Sequence, residues 1–327
     1  MSVQRRRSWN APHSRQTRVR PRHRSDIALE IADDYDSDCK SPHAADIAVL
    51  FSIHSTILID CCISIIQGFT MRFSTLRSGA AQAAAALCLL TTAAAPAFAA
   101  PVKNIVVVHG AFADAAGWRP VYNILTKDGY HVTLVQQPLT SFNDDVNATK
   151  RVLNSLDGPC VLVGHSYAGA IISEAGNDDH VKSLVYIAAH ALDAGETIGE
   201  NGKKYPGGPL SIVGTPDNFV YLKPADYPLQ FAPDLPRAQA EFEAHAQIPL
   251  AASEFSAQVS DPAWKAKPSW YMVAKADKII NPELERMYAA RAHATTVEIS
   301  GASHAVFESH PREVAALIEQ AAQQSDQ

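Results

Sequence analysis

From residue 103 onward, uninterrupted apolar segments alternate with amphipathic ones, and this alternation restricts the chain to a parallel sheet covered on both faces. Lys103–Gly110 (KNIVVVHG) is apolar without a break and closes on His-Gly, as a buried strand ending in a turn does. Ala113–Thr126 has Trp118, Val121, Tyr122 and Leu125 at helical spacing, with Gly129 beyond its end. Strand segments follow at Tyr130–Gln136, Pro159–Gly164, Val181–Ala188, Ser269–Ala274 and Thr295–Ile299. Between them, Asp144–Leu156 reads as a helix with two acids where the helix dipole favours them. Tyr167–Ala175 is a second helix, and Pro311–Ala322 a closing one with Pro in its first turn. The expected fold is therefore α/β: a mostly parallel sheet of about six strands, helices on both faces, ligands at the carboxyl ends of the strands.

Between Ala189 and Lys267 the alternation stops. The segment has Gly/Pro-rich stretches (Tyr205–Leu210, Lys223–Leu229) and one clear helix, Leu235–Ala246. A structureless loop of that length is uncommon in a compact domain, so residues 189–267 are expected to form a cap over the strand ends.

The N-terminal hundred residues read differently. In residues 71–99, Arg72 and Arg77 precede an uncharged Ala/Leu run that ends in Ala97-Phe98-Ala99, the order of a secretory signal peptide. Residues 1–70 carry an Arg cluster, an acidic patch and the apolar run 47–66, interrupted by His54 and Asp60. They are expected to be disordered, or to lie upstream of a true start at Met71, with no stable membrane association in the latter case; the rival is a membrane anchor, since 47–66 is long enough to span a bilayer. The working domain is then 100–327, in the periplasm or secreted. It holds 26 Asp and Glu against 17 Lys and Arg, a balance that disfavours nucleic acid and anionic membrane as partners. Of five cysteines only Cys160 falls in it, so an internal disulfide is excluded, and its apolar strand marks it as a small buried hydrophobe. No metal motif is present in this domain and no cofactor is expected. Oligomeric state is not legible.

The chemistry-bearing residues fall just beyond strands. Gly164-His165-Ser166-Tyr167-Ala168-Gly169 sits between an apolar strand and an apolar helix and nearly fits G-x-S-x-G, with Ala168 in place of the last Gly. Small neighbours are needed because a nucleophile elbow holds its Ser in a strained turn, and Ala is the smallest substitute. Serine needs a base, and His304 in Gly301-Ala302-Ser303-His304-Ala305 follows the last strand; His310, beside Pro311, reads as a surface or capping residue. Asp277 follows the preceding strand, giving the chain order Ser, Asp, His. Oxyanion donors are expected from the backbone N–H of Tyr167 and of Ala111, with Phe112 as alternative to the latter. Gly110, Phe112 and Trp118 are expected to line the substrate site.

VVVHGAF…GW, GHSYAG, ADKIINPELER and GASHAVF together resemble the plant methylesterase and hydroxynitrile lyase branch of the α/β-hydrolase superfamily and its secreted bacterial relatives, over residues 104–322. The resemblance implies a Ser166–His304–Asp277 triad and a small-molecule ester under the cap. In the lyases it resembles, Thr follows the first-strand His and Lys follows the catalytic His; here those positions are Gly110 and Ala305. An esterase is therefore expected ahead of a cyanohydrin lyase or a non-catalytic binding protein on the same fold. Acyl and alcohol groups, and preference for ester over lactone, amide or peracid chemistry, are not read from the sequence.

Overall fold

A computed structural model describes residues 102–324, so the proposed extension and signal peptide lie outside the described residues. Six strands form one sheet: β1 (Asn104–Val108), β2 (His131–Val135), β3 (Cys160–His165), β4 (Val181–Ile187), and, after a long insertion, β8 (Ser269–Ala274) and β9 (Thr295–Ile299). Their order is β2-β1-β3-β4-β8-β9 and every pairing is parallel. Parallel strands need crossovers, and five helices pack on the sheet: α1 (Arg119–Lys127), α2 (Phe142–Leu153), α3 (Ala168–Ala175), α7 (Pro282–Arg291) and α9 (Pro311–Gln324).

Both faces of the sheet are covered over its four inner strands, which is why these carry no polar alternation, whereas the edge strands β2 and β9 are partly exposed. In β1, Val106 and Val108 enter the core formed with α2, α3 and α7, while Ile105 and Val107 enter the core formed with α1 and α9. Cys160 belongs to the first core, unpaired, its thiol pushed up to about 12 chiefly by burial. The boundaries differ from sequence reading where capping decides. The expected helix from Ala113 starts as a 3₁₀ turn, Ala115–Trp118, capped by the Asp114 side chain, and α1 begins only at Arg119, just before Pro120. In α2, Ser141 accepts from the Asp144 N–H and starts the helix two residues early.

The insertion between β4 and β8 contains α4 (Ile198–Lys204) and a three-stranded antiparallel sheet of β5 (Ile212–Gly214), β6 (Phe219–Leu222) and β7 (Leu250–Ala251), with α5 (Tyr227–Gln230) and α6 (Arg237–Ala246) between β6 and β7. Pro236 delays α6 by two residues relative to the Leu235 start read from periodicity. The short α8 (Val306–Ser309) leads into α9. Among the described residues no helix is long and apolar enough to cross a membrane.

Candidate active site

Ser166 follows β3 directly and precedes α3. Its φ of 55° is left-handed, a conformation that costs a non-glycine residue about 1–3 kcal/mol and that only tight surroundings maintain. Those surroundings are visible in the neighbouring glycines. A Cβ on Gly110 would come within 2.7 Å of the Ser166 Cβ, and one on Gly164 within 2.8 Å of the Ala168 carbonyl oxygen. Ala168 is fully buried, and the elbow closes around its methyl group.

The three side chains expected to act together meet. The Ser166 hydroxyl lies 2.8 Å from His304 Nε2, and His304 Nδ1 lies 2.5 Å from Asp277 Oδ2. All three are buried. The other Asp277 oxygen accepts from the Ile279 and Ile280 N–H groups at 2.6 and 3.0 Å, which fixes the carboxylate plane. A carboxylate on Nδ1 leaves Nε2 as the acceptor facing the hydroxyl.

Sequence reading did not assign roles to the groups that hold His304. The His165 ring lies 4.6 Å from the His304 ring, centroid to centroid, and its Nε2 is 2.9 Å from the His304 carbonyl oxygen. Burial, with the adjacent His304, keeps His165 well below the ordinary histidine range; it is neutral and its one proton donates to that carbonyl. Asp234 of the insertion accepts from the Ser303 N–H at 2.9 Å and from the Ser303 hydroxyl. Phe231 sets its ring edge-to-face on His304 at 4.8 Å, backed by Tyr227. His304 and the residue before it are thus clamped from both the sheet side and the insertion side. The one usable signal for His165 was its place inside the elbow motif; Asp234 and Phe231 had none.

The turn after β1 is built by His109. Its Nε2 accepts from the Gln137 N–H at 3.1 Å, so the ring proton is on Nδ1 and donates to the Gly110 carbonyl at 2.8 Å. In a trans peptide the N–H opposes the C=O, so the Ala111 N–H points away from the His109 ring. Neither the Ala111 nor the Phe112 N–H, nor that of Tyr167, donates to an acceptor among the described residues. Phe112 takes a left-handed φ of 59° and lines a cavity of about 210 Å³, together with His190, Leu210 and Ile280. Gly110 touches the nucleophile rather than this cavity. Trp118 corrects the expectation: it is fully buried, stacked on Phe307 at 4.8 Å in the core shared with α1 and α9, because its position at helical spacing marked the core face of that turn. His310 caps α9, its carbonyl accepting from the Val314 N–H. Among the described residues no group of three or more His, Cys, Asp or Glu is placed to hold a metal ion.

Comparison with known proteins agrees with this architecture. A model of the alpha/beta hydrolase family matches residues 105–317. Among solved structures, polyneuridine aldehyde esterase superposes with a TM-score of 0.57 at 21% identity, over 67% of this chain and 98% of that one. A pyrethroid hydrolase from Sphingobium faniae JZ-2 gives 0.58 at 20% identity, over 68% and 98%. An extracellular alpha/beta-hydrolase from a Paenibacillus species gives 0.57 at 18% identity, over 68% and 99%. At these identities the likeness is one of fold. No curated protein matches the sequence.

Proposed function

Since this chain belongs to the alpha/beta hydrolase family, we propose that it is a serine esterase, hydrolysing a small to medium carboxylic ester through an acyl-enzyme on Ser166. The observation that carries this reading is the continuous relay from the Ser166 hydroxyl to His304 and Asp277, at 2.8 and 2.5 Å. The esterase and pyrethroid hydrolase among its structural neighbours favour ester substrates over other acyl compounds.

In the proposed cycle His304 Nε2 takes the hydroxyl proton as Ser166 Oγ attacks the ester carbonyl carbon. The unpartnered N–H groups of Tyr167 and Ala111 hold the oxyanion that forms. Collapse of the tetrahedral intermediate expels the alcohol, protonated by His304. Water then attacks the acyl-enzyme with the same imidazole as base, releasing acid and free Ser166. Asp277 stabilises the imidazolium in both halves, held for that task by the Ile279 and Ile280 amides.

Ser166→Ala is expected to lower turnover of a short-chain aryl ester by about three orders of magnitude or more, with an unchanged circular dichroism spectrum. A fluorophosphonate should label Ser166 in the parent protein. Substantial activity in the folded variant, or an adduct on another residue, would refute the assignment.

A further inference from the structure

The cavity of about 210 Å³ is lined by Ile279 and Ile280, whose N–H groups hold Asp277; it is smaller than the roughly 300–1,000 Å³ of sites for drug-sized ligands, so it suits one group of a substrate. Phe112, Ile198, Leu210, Ile280 and Leu284 make its walls largely apolar; Tyr205, Asn281 and the His190 imidazole bring polar groups to it. His190 is anchored at the nucleophile, its backbone N–H donating to the Ser166 carbonyl at 3.0 Å.

The hydrogen bonds around the ring determine which nitrogen carries the proton. His190 Nδ1 lies 3.3 Å from the Tyr288 hydroxyl, and that oxygen accepts from the Asn201 side-chain amide at 3.1 Å. The amide nitrogen can only donate, and Nδ1 is the one acceptor within reach of the Tyr288 hydroxyl proton among the described residues, so that proton goes to Nδ1. Burial, with His304 nearby, lowers His190 to about 3 and keeps it neutral. A neutral imidazole whose Nδ1 accepts is protonated on Nε2. Nε2 has no protein partner among the described residues. The site therefore presents a fixed N–H donor in a largely apolar cavity, and a ligand that offers no acceptor there leaves it unpaired at a cost. Because the ring is neutral and its surroundings are largely apolar, the matching acceptor is uncharged as well.

We propose that His190 reads the substrate: the preferred esters carry an apolar group that fills this cavity, with an uncharged acceptor oxygen, of ether or ketone type, placed on it to meet Nε2–H. This rests on the esterase reading and adds to it a substrate class and the residue that selects it.

The test is a series of aryl esters of equal length in which one methylene of the acyl chain, or of the alcohol, is replaced by an ether oxygen at successive positions. Each kcat/KM is divided by the hydroxide-catalysed rate, which removes intrinsic reactivity. In the parent enzyme one oxygen position is expected to be favoured at least tenfold over the all-carbon ester. In His190→Phe, which keeps an aromatic ring and loses the donor, that preference should fall to unity or below. Tyr288→Phe, which removes the donor to Nδ1 and so no longer holds the ring proton on Nε2, should weaken it too, and stands in should His190→Phe fail to fold. Fluorophosphonate labelling of Ser166 accompanies every measurement. Labelling and turnover without preference for any oxygen position overturn the role of His190 and leave the esterase standing. A preference that survives both variants also overturns it. A parent enzyme that neither labels nor turns over any of the esters overturns the esterase reading, and this one with it.

Discussion

Glu285, on α7, is fully buried directly behind the triad. Its Oε2 accepts from the Ala274 N–H at 2.9 Å, while Oε1 has no partner so long as the group is treated as ionised. Its carboxyl meets that of Asp277, and burial, reinforced by the Asp277 charge, pushes Glu285 well above the usual carboxylate range. Glu285 is thus a neutral acid at working pH, and its O–H gives Asp277 a third kind of donor beside the two backbone amides and the imidazole. Such a donor holds the carboxylate in register with His304 Nδ1. Glu285→Gln keeps a donor of nearly the same shape and is expected to retain activity within about threefold. Glu285→Leu removes it and strands the Ala274 N–H, at a cost of about 1–3 kcal/mol in stability, and kcat/KM should fall more than tenfold. Equal activities for the Gln and Leu variants would show that the group does nothing for Asp277.

At the scale of elements, the elbow is tied to its neighbours through the side chain of the residue whose amide is proposed to hold the oxyanion. The Tyr167 hydroxyl lies 2.8 Å from both Asp145 Oδ2, in the first turn of α2, and Glu254 Oε2, in the 3₁₀ turn Ala252–Ser256 of the insertion. One hydroxyl donates once, so the second contact requires a proton on one of the acids. Burial raises Asp145 to about 6 and Glu254 to about 7, and Asp144, the further charge bearing on both, is acidic as well. Because the folded state binds protons here more tightly than the unfolded chain, this contact is fully present at pH below the ordinary carboxylate values. Stability is lost as pH rises toward about 7. Glu254→Gln supplies a permanent amide donor to the Tyr167 oxygen. At pH 8 it should be more stable than the parent by about 1–2 kcal/mol, or roughly 2–8 °C in Tm, with the gap closing toward pH 4.5. A gap that is the same at both pH values would count against the shared proton. None of these three groups announced its partnership in the sequence. Asp145 read as an acid favoured by a helix dipole, and Glu254 lay in a segment without periodicity. The four inner strands of the main sheet were legible because each is a nearly continuous apolar run, and the edge strands β2 and β9 because β-branched residues mark them between helical segments. Strands β5, β6 and β7, two to four residues long, are too short for a period of two to declare itself.

Across the whole molecule, Ser166, Asp277 and His304 could be read from the chain because a parallel sheet sends every strand's carboxyl end to the same edge, so position after a strand stands in for proximity. Contacts between the insertion and the body follow no such rule, and one of them, the bidentate pair of Arg291 with Glu196, joins residues 95 apart. Arg291 ends α7 and grips the carboxylate of Glu196 with both terminal nitrogens at 2.8 Å, its guanidinium lying over the rings of Trp264 and Tyr288. Burial opposes ionisation of Glu196, but Arg291, the Asp193 N–H and the Asn201 amide outweigh it and hold the carboxyl at about 2. The same Asn201 donates to Tyr288, so this tether also braces the hydrogen-bond chain that sets the His190 tautomer. A depressed acid stabilises the fold fully above its unfolded value of 4.5 and loses that contribution as pH falls through about 2. Both partners are partly solvated, which reduces the effect of the shift to about 1–2 kcal/mol. Glu196→Gln should therefore melt roughly 2–8 °C below the parent at pH 7, and the two curves should converge as pH is lowered from 4.5 toward 2. Parallel curves across that interval would mean that the insertion is held to the body by packing and neutral hydrogen bonds, with the ion pair contributing nothing.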